Sequence, residues 1–261
     1  MIMHIRQTKL LDIVNRERKV SVSALAKQLD VSEVTIRKDL TSLEQKRMLH
    51  REHGYAVMSA DDDVLHQLSF NYERKHHIAE QAAESIENGE TIMLSSGACC
   101  ALLAEEIALH KNDVTIITNS AFLAGFVCKY PNAHVILFGG EYQNDAQVLV
   151  GPLIKDYASH FSVDKIFVNP DGFSEKGFMG ADLMRAEAIR AIAESASQII
   201  VLAESATLNR KSHVLTFTLD EVQRIYTDDV PTGEVLACLE QHGIEIKTAP
   251  RPRIKKNKNK K

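Results

Sequence analysis

The run S-E-V-T-I-R-K-D-L, which begins at Ser32, carries the side-chain types that contact nucleic acid. Ser32 can cap a helix that begins at Glu33. On that helix Ile36, Leu40 and Leu43 share one apolar face. At 100° per residue, the rest of the surface carries hydroxyl, cationic and small apolar groups: Val34, Thr35, Arg37, Lys38, Thr41 and Ser42. Such groups contact phosphates, base edges and the thymine methyl. Taken alone, the pattern also fits an ordinary solvated helix.

The segments around this helix favour the nucleic-acid interpretation. Met3–Arg16 has the apolar spacing of a first helix, and a second helix begins at Ser21 or Ser23 and runs to about Leu29. A tight break at Asp30 leads into the helix capped by Ser32. Two short helices joined in this way form a helix-turn-helix, whose second helix enters the major groove.

Residues 48–57 predict a β-hairpin directly after the second of these helices. Two short strand-like runs flank a turn at Gly54, and the hairpin carries Arg51 and His53. A helix, a helix-turn-helix and a basic wing in one short segment are far more specific than any one of these pieces.

Charge is distributed unevenly along the 261 residues. Residues 1–57 hold 11 Lys/Arg against 7 Asp/Glu, residues 58–249 hold 13 against 28, and residues 250–261 hold 7 basic and no acidic side chains. A basic segment joined to an acidic body fits a small polyanion-binding module attached to a larger domain. The basic tail has too few apolar residues to bury a core, so we expect it to be disordered.

The body of the chain alternates between strand-like and helical segments. Residues 58–74 predict a linker, and Lys75–Glu87 predicts a helix with Gly89 at its C-terminal cap. Short apolar runs rich in β-branched residues follow at Thr91–Leu94, Val114–Thr118, Val135–Phe138, Lys165–Val168, Ile199–Leu202 and Arg224–Tyr226. Helical segments separate them, which predicts a mainly parallel sheet covered on both faces.

Three of these predicted strands end in loops suited to a small ligand. In parallel α/β sheets, ligands bind beyond the carboxyl ends of the strands. The first loop could hold an anion with hydroxyls and helix N-terminal amides, and Gly139-Gly140 would allow close backbone approach. The candidate residues are Ser95, Ser96, Gly97, Ala98, Cys99, Thr118, Asn119, Ser120, Gly139 and Gly140. Each turn alone could be only a turn, whereas three together favour a small anionic ligand.

The cysteines and histidines give no pattern that predicts a metal or disulfide framework. Cys99 and Cys100 are adjacent, and no C-x-x-C pair occurs, so we expect a reducing cytosol and no structural zinc. No apolar run approaches the roughly 20 residues needed to cross a bilayer, and we expect no membrane partner. The pair His76-His77 could suggest a metal, but solvated or partly packed histidines fit it better.

Two stretches of the basic segment, V-S-A-L-A-K-Q-L-D-V-S-E-V-T-I-R-K-D-L and L-E-Q-K-R-M-L-H-R-E-H-G-Y-A-V, resemble DeoR-family transcriptional regulators. Arg47 and Tyr55 stand where that family usually has glycine. The resemblance implies an N-terminal winged helix-turn-helix that binds an operator in double-stranded DNA.

The body resembles the effector domain of the same family, which is similar to the phosphosugar isomerase fold. The matching motifs are T-I-I-T-N-S, L-F-G-G-E-Y, V-D-K-I-F-V-N-P-D-G-F-S-E-K-G and V-L-A-E-S-A-T-L. Ser95, Ala98 and Cys99 replace the usual Asp, Thr and Thr of the first loop. Glu204 opens the late motif, which lacks its usual lysine, although Arg210 and Lys211 lie nearby.

The leading hypothesis is a transcriptional regulator with an α/β fold, in which residues 1–57 bind DNA, residues 75–249 sense a metabolite and form an oligomer, and residues 250–261 form the tail. The resemblance implies a phosphorylated sugar as effector and a repressor of carbohydrate use, with no cofactor. The rival is a sugar-phosphate isomerase or deaminase with Asp171, Glu175 or Glu204 as base, but it lacks a convincing cationic partner. A non-specific nucleoid protein would explain the charge and leave the body without a role. For the effector we add Asp171 and Glu204 to the loop residues.

Overall fold

The computed structural model describes residues 5–45, 48–58 and 64–249. Its first part is a winged helix-turn-helix made of α1 (Ile5–Glu17), β1 (Lys19–Ser21), α2 (Val22–Leu29), α3 (Glu33–Gln45), β2 (His50–Glu52) and β3 (Tyr55–Val57). The three strands pair antiparallel in the order β1-β3-β2, so that β2 and β3 form the predicted wing.

The caps and the core of this head follow the predicted pattern. The hydroxyls of Ser21 and Ser32 accept the backbone N–H three residues further on, which starts α2 and α3. Ile36, Leu40 and Leu43 are completely buried, so the predicted apolar face of α3 is confirmed.

The body is built around a seven-stranded parallel sheet with the strand order β15-β14-β12-β9-β4-β5-β6. Its elements are α4 (Val64–Ser69), α5 (Tyr72–Glu84), β4 (Thr91–Leu94), α6 (Ala98–His110), β5 (Thr115–Thr118), α7 (Ala121–Val127), β6 (His134–Leu137), β7 (Glu141–Gln143), β8 (Val148–Val150), α8 (Leu153–Ala158), β9 (Val163–Val168), β10 (Gly172–Ser174), β11 (Gly177–Gly180), α9 (Leu183–Ala193), β12 (Ala196–Leu202), β13 (Val214–Thr218), β14 (Val222–Thr227), α10 (Glu234–Gln241) and β15 (Glu245–Thr248). The mainly parallel α/β architecture is therefore confirmed.

Alternate residues of the strands pack on opposite faces of the sheet, as the two-residue period of a strand requires. Ile92 and Leu94 of β4 belong to a core with α5, α6 and α7, whereas Met93 belongs to a second core with α8, α9 and α10. The first core continues through Leu68 and Tyr72 into the core of the head. The head and the body are therefore packed together.

Two predicted boundaries differ from the structure. The described part of the expected linker, 64–74, contains α4 and the start of α5 instead of irregular chain. The helix predicted over Lys75–Glu87 ends at Glu84 with Ser85 as its cap, so the assignment of Gly89 as the cap was wrong. Residues 59–63 and 250–261, which include the predicted tail, lie outside the described residues. None of the described helices combines the length and hydropathy that crossing a membrane requires.

Two small antiparallel sheets were not predicted. One is the ribbon of β7 and β8, and the other joins β10, β11 and β13. They lie beside the carboxyl ends of the parallel strands and supply several residues to the cavity described next.

Candidate functional site

A cavity of about 800 Å³ opens beyond the carboxyl ends of β4, β5, β9 and β12. The residues that directly follow these strands line it, as is usual for a parallel α/β sheet. Nine of the predicted effector residues meet there: Ser95, Ser96, Gly97, Ala98, Cys99, Asn119, Ser120, Asp171 and Glu204. Three predicted residues, Thr118, Gly139 and Gly140, are not among its lining residues.

The loop between β4 and α6 offers unpaired backbone donors to the cavity. The N–H groups of Ser96, Gly97 and Ala98 have no acceptor among the described residues. They precede or begin α6, where the helix dipole also favours negative charge. The Ser95 hydroxyl is engaged locally, since it donates to the Ser96 carbonyl at 2.9 Å and accepts the Asn169 N–H at 3.1 Å.

Asn169, at the end of β9, holds this loop in place. Its side-chain oxygen accepts the backbone N–H of Cys99 at 3.1 Å. Gly97 has a φ of +116°, and a Cβ there would lie 2.6 Å from the same Asn169 oxygen. Glycine is therefore required at this position, because any other side chain would strain the backbone at this φ and would collide with Asn169. The N-P-D-G run alone gives no sign of this role, because the contact joins residues 70 positions apart.

Asn119 presents an unsatisfied acceptor at the wall of the cavity. Its side-chain amide donates to the Leu149 carbonyl at 2.8 Å, but its Oδ1 atom is buried without a partner among the described residues. A ligand hydroxyl can supply the missing donor. The neighbouring hydroxyls have structural roles, because Thr118 accepts the Ser120 N–H and Ser120 caps α7.

Two exposed cations at the cavity, Arg210 and Lys211, have no ion-pair partner in the part of the chain that the structure describes. By contrast, Arg185 lies 3.6 Å from Asp145 and 3.7 Å from Asp182. A backbone N–H donated by Arg185 is the main reason that the pKa of Asp182 is lowered. Arg210 and Lys211 are therefore the cations most available to an anionic ligand.

A buried ion pair replaces the expected free carboxylate of Glu204. Lys75 Nζ lies 3.4 Å from one oxygen of Glu204, and Asn71 donates to the other at 2.8 Å. Lys75 also donates to the carbonyls of Gln67 and Phe70. Sequence reasoning missed Lys75 because it lies 129 positions before Glu204, on the helix that follows the predicted linker.

Asp171 also has a structural partner, because its carboxylate accepts the Ala181 N–H at 2.8 Å. The two glycines predicted for ligand approach pack against protein instead. A Cβ at Gly140 would lie 2.5 Å from the Val150 carbonyl oxygen, and one at Gly139 would contact the ring of Tyr157.

The head contributes to the cavity directly, since Asn15 and Arg18 at the end of α1 are among its lining residues. The amide of Asn15 donates to the Ser69 carbonyl at 3.2 Å, and the Ser69 hydroxyl donates back to Asn15 Oδ1 at 3.3 Å. Gln67 and Phe70, whose carbonyls accept from Lys75, also line the cavity. One wall of the cavity is therefore made by α1 and by the α4–α5 connection.

The two adjacent cysteines are poor nucleophiles in this fold. Burial raises the pKa of the Cys100 thiol to about 12 and also raises the pKa of Cys99. Both thiols are protonated at neutral pH, so neither can act as a thiolate.

The predicted DNA-binding side chains lie on the outer surface of the head. Val34, Arg37, Lys38 and Thr41 are exposed on α3, Thr35 and Ser42 are half-buried, and the wing exposes Arg51 and His53. In the free protein, Arg37 pairs with Glu33 at 2.9 Å. Arg51 donates to the Thr41 hydroxyl at 2.7 Å, which ties the wing to α3.

One acidic residue of α3 points inward. Asp39 is buried and accepts from Arg6 at 2.6 Å and from Gln7 at 3.3 Å, both on α1. Asp39 therefore adds no negative charge to the exposed face of α3, and it attaches α3 to α1. This contact was not predictable from the sequence, because Asp39 has no distinctive local spacing.

Comparison with known proteins agrees with this two-part organisation. Residues 6–61 match the model of the DeoR-like helix-turn-helix domain, and residues 70–229 match that of the DeoR C terminal sensor domain. The chain is 28% identical over 250 residues to the HTH-type transcriptional regulator GolR of Listeria innocua, covering 94% of this chain and 98% of that one. It is 26% identical over 245 residues to the glycerol-3-phosphate regulon repressor of Escherichia coli, covering 92% and 97%.

Among solved structures, ribose 5-phosphate isomerase A from Methanocaldococcus jannaschii aligns with 54% of this chain and 56% of its own. The TM-score is 0.37 and the sequence identity 16%, which supports no functional comparison.

Proposed function

Since the chain belongs to the DeoR family of DNA-binding transcriptional regulators, we propose that it represses an operon of carbohydrate use under the control of a small phosphorylated sugar or a related metabolite. The chain is a regulator and not an enzyme. The observation that carries the effector proposal is the cavity. There, the amides of Ser96, Gly97 and Ala98 and the cations Arg210 and Lys211 have no partner within residues 5–45, 48–58 and 64–249.

The chemistry of the cavity supports an anionic, hydroxylated ligand. A phosphate can accept from the amides at the start of α6 and from the two cations, which replace the lysine absent from the late motif. A sugar hydroxyl can donate to Asn119 Oδ1, a buried acceptor that has no partner in the described part of the chain. Both oxygens of Glu204 and one oxygen of Asp171 have protein partners, so we assign these carboxylates to shaping the cavity.

The position of α1 supports control of DNA binding by this ligand. Asn15 and Arg18 at one end of α1 line the cavity, and Arg6 at the other end contacts Asp39 of α3. A ligand that favours one arrangement of this wall changes the population of heads that fit the operator. The proposed DNA contacts are those of α3 and the wing: Ser32, Val34, Thr35, Arg37, Lys38, Thr41, Ser42, Arg51 and His53.

We also propose that the regulator acts as a homo-oligomer. A helix-turn-helix usually reads two half-sites about one helical turn apart, which requires two heads held together. Light scattering of the full chain at micromolar concentration should give a mass of at least two chains, and a strictly monomeric mass would contradict this part of the proposal.

A thermal screen of phosphorylated sugars tests the effector. A ligand at 100 times its Kd stabilises the native state by about 2.7 kcal/mol. For a chain of this size the melting temperature rises by roughly 5–10 °C. The same ligand should change operator affinity in a gel-shift assay, and its dephosphorylated form should have a much smaller effect.

The variant R210Q/K211Q should melt at the wild-type temperature without ligand and lose most of the ligand-induced rise. K155Q, which removes an exposed cation outside the cavity lining, is the matched control and should respond as wild type. A broad panel without any shift would contradict the proposed ligand class, and a full shift in R210Q/K211Q would contradict the proposed phosphate site.

A further inference from the structure

A second group of chemically active side chains lies on α5, outside the effector cavity. Glu80 follows His76 by four residues and His77 by three, so it lies beside both histidines on the helix surface. The Nδ1 atom of His76 lies 3.5 Å from one Glu80 oxygen, and Nδ1 of His77 lies 2.7 Å from the other. One ligand atom from each residue falls within 4.8 Å of the other two.

We propose that His76, His77 and Glu80 bind a divalent first-row transition-metal ion, with zinc as the suitable probe. Two imidazole nitrogens and one carboxylate oxygen form a donor set that zinc uses in open, three-ligand sites. Nitrogen donors also favour such ions over Mg²⁺ and Ca²⁺, which prefer oxygen.

The surroundings of His76 already resemble those of a metal ligand. Its Nε2 atom lies 3.0 Å from Glu106 of α6, and its ring stacks on Tyr72 with the centroids 5.6 Å apart. A carboxylate that accepts the remote ring N–H is the usual partner of a metal-bound histidine. With its Nε2 atom paired to Glu106, the Nδ1 atom of His76 can supply its lone pair to a metal ion beside Glu80.

The proposed site meets solvent on its His77 and Glu80 side, whereas His76 is buried and does not line the cleft there. His77, Glu80, Glu84, Glu106 and His110 line a cleft of about 390 Å³, together with Lys111. The ammonium of Lys111 is engaged with the Ile86 carbonyl at 2.6 Å, whereas the three carboxylates give the cleft a negative balance. His77 and Glu80 are partly exposed, so water can complete the coordination of a bound ion.

The experiment is a calorimetric titration of chelator-treated full-length protein with zinc, with native mass spectrometry for stoichiometry. We expect one zinc ion per chain in the wild type and no response to Mg²⁺ at the same concentration. H77Q and E80Q should each weaken zinc binding at least tenfold. E106Q should weaken it by about 10–100-fold, as expected for loss of an outer carboxylate.

H242Q is the matched control, because His242 also pairs with a carboxylate, Asp220, and is similarly exposed. It should bind zinc as the wild type does. Circular dichroism verifies that each variant is folded. The proposal is overturned if the wild type does not bind zinc, or if folded H77Q and E80Q both bind it with wild-type affinity.

Discussion

Lys75 and Glu204 form an ion pair of 3.4 Å in which each side chain is only 9% exposed, and the pair joins α5 to the segment after β12. Exposed pairs such as Lys155–Glu194, at 3.0 Å, contribute little because water screens them. A buried pair differs, because removal of one partner leaves an uncompensated charge.

The variant K75A should therefore destabilise the protein by about 3–5 kcal/mol. K155A, at the exposed pair, should cost less than about 1 kcal/mol. Urea unfolding followed by circular dichroism measures both. The double variant K75M/E204Q should recover much of the unfolding free energy that K75A loses, because neither substituted side chain carries a charge. Equal costs for K75A and K155A would contradict the interpretation of the buried pair.

The variant R37A/K38A should bind the operator more weakly and retain its melting temperature. Both side chains are exposed, and such substitutions usually change stability by less than about 0.5 kcal/mol. If each cation neutralises one phosphate, the slope of log K against log salt should flatten by about 0.9 per residue. Fluorescence anisotropy at several salt concentrations measures the slope. K155A/K247A, which removes two cations of the body, should keep the wild-type slope.

Substitution by alanine should destabilise the protein more at Gly97 than at Gly89. Both have positive φ, but a Cβ at Gly89 meets nothing within 4 Å, whereas one at Gly97 collides with Asn169. We expect G89A to cost about 1 kcal/mol from backbone strain alone. G97A should cost about 1–3 kcal/mol more, because it also displaces the Asn169 contact to Cys99. Thermal unfolding compares them, and equal costs would show that the loop absorbs the added methyl group.

Asp182 should make the free energy of unfolding depend on pH in the acid range. Its pKa lies below the ordinary value of 3.8 mainly because the Arg185 backbone N–H donates to its carboxylate. A lowered pKa adds stability above the unfolded-state pKa, and this stability is lost as the pH falls through the folded-state pKa. The difference in unfolding free energy between the wild type and D182N should therefore shrink below about pH 4. Urea unfolding between pH 7 and pH 3 measures it, and D182S, which also keeps a capping oxygen, should behave like D182N.

Much of the fold could be predicted because the spacing of apolar residues along the sequence distinguishes long helices from buried strands. The apolar face of α3 and the strands β4 and β5 illustrate this. Shorter elements escaped prediction. Three-residue strands such as β7 and β10 are too short to show a period, and α4 follows an acidic run that indicated a linker.

The candidate site was predictable only where its residues are neighbours in sequence. The loop S-S-G-A-C was identified because small and hydroxyl residues follow a strand. Lys75, Asn169 and Asn15 reach the cavity from distant segments, and their contacts depend on how helices and strands pack. In the same way, Glu204 was expected to face a ligand, but its partner Lys75 is supplied by tertiary structure.

The helix α1 connects the cavity to α3, so a tilt at one end of α1 displaces the other end. Asn15 at the cavity and Arg6 at Asp39 of α3 lie nine residues apart on this helix, or about 14 Å at about 1.5 Å per residue. A rigid tilt of about 10° around Asn15 moves the Arg6 end by about 2 Å. That displacement is comparable to a hydrogen-bond length, so under the proposed function a small movement in the cavity wall would take α3 out of register with base edges.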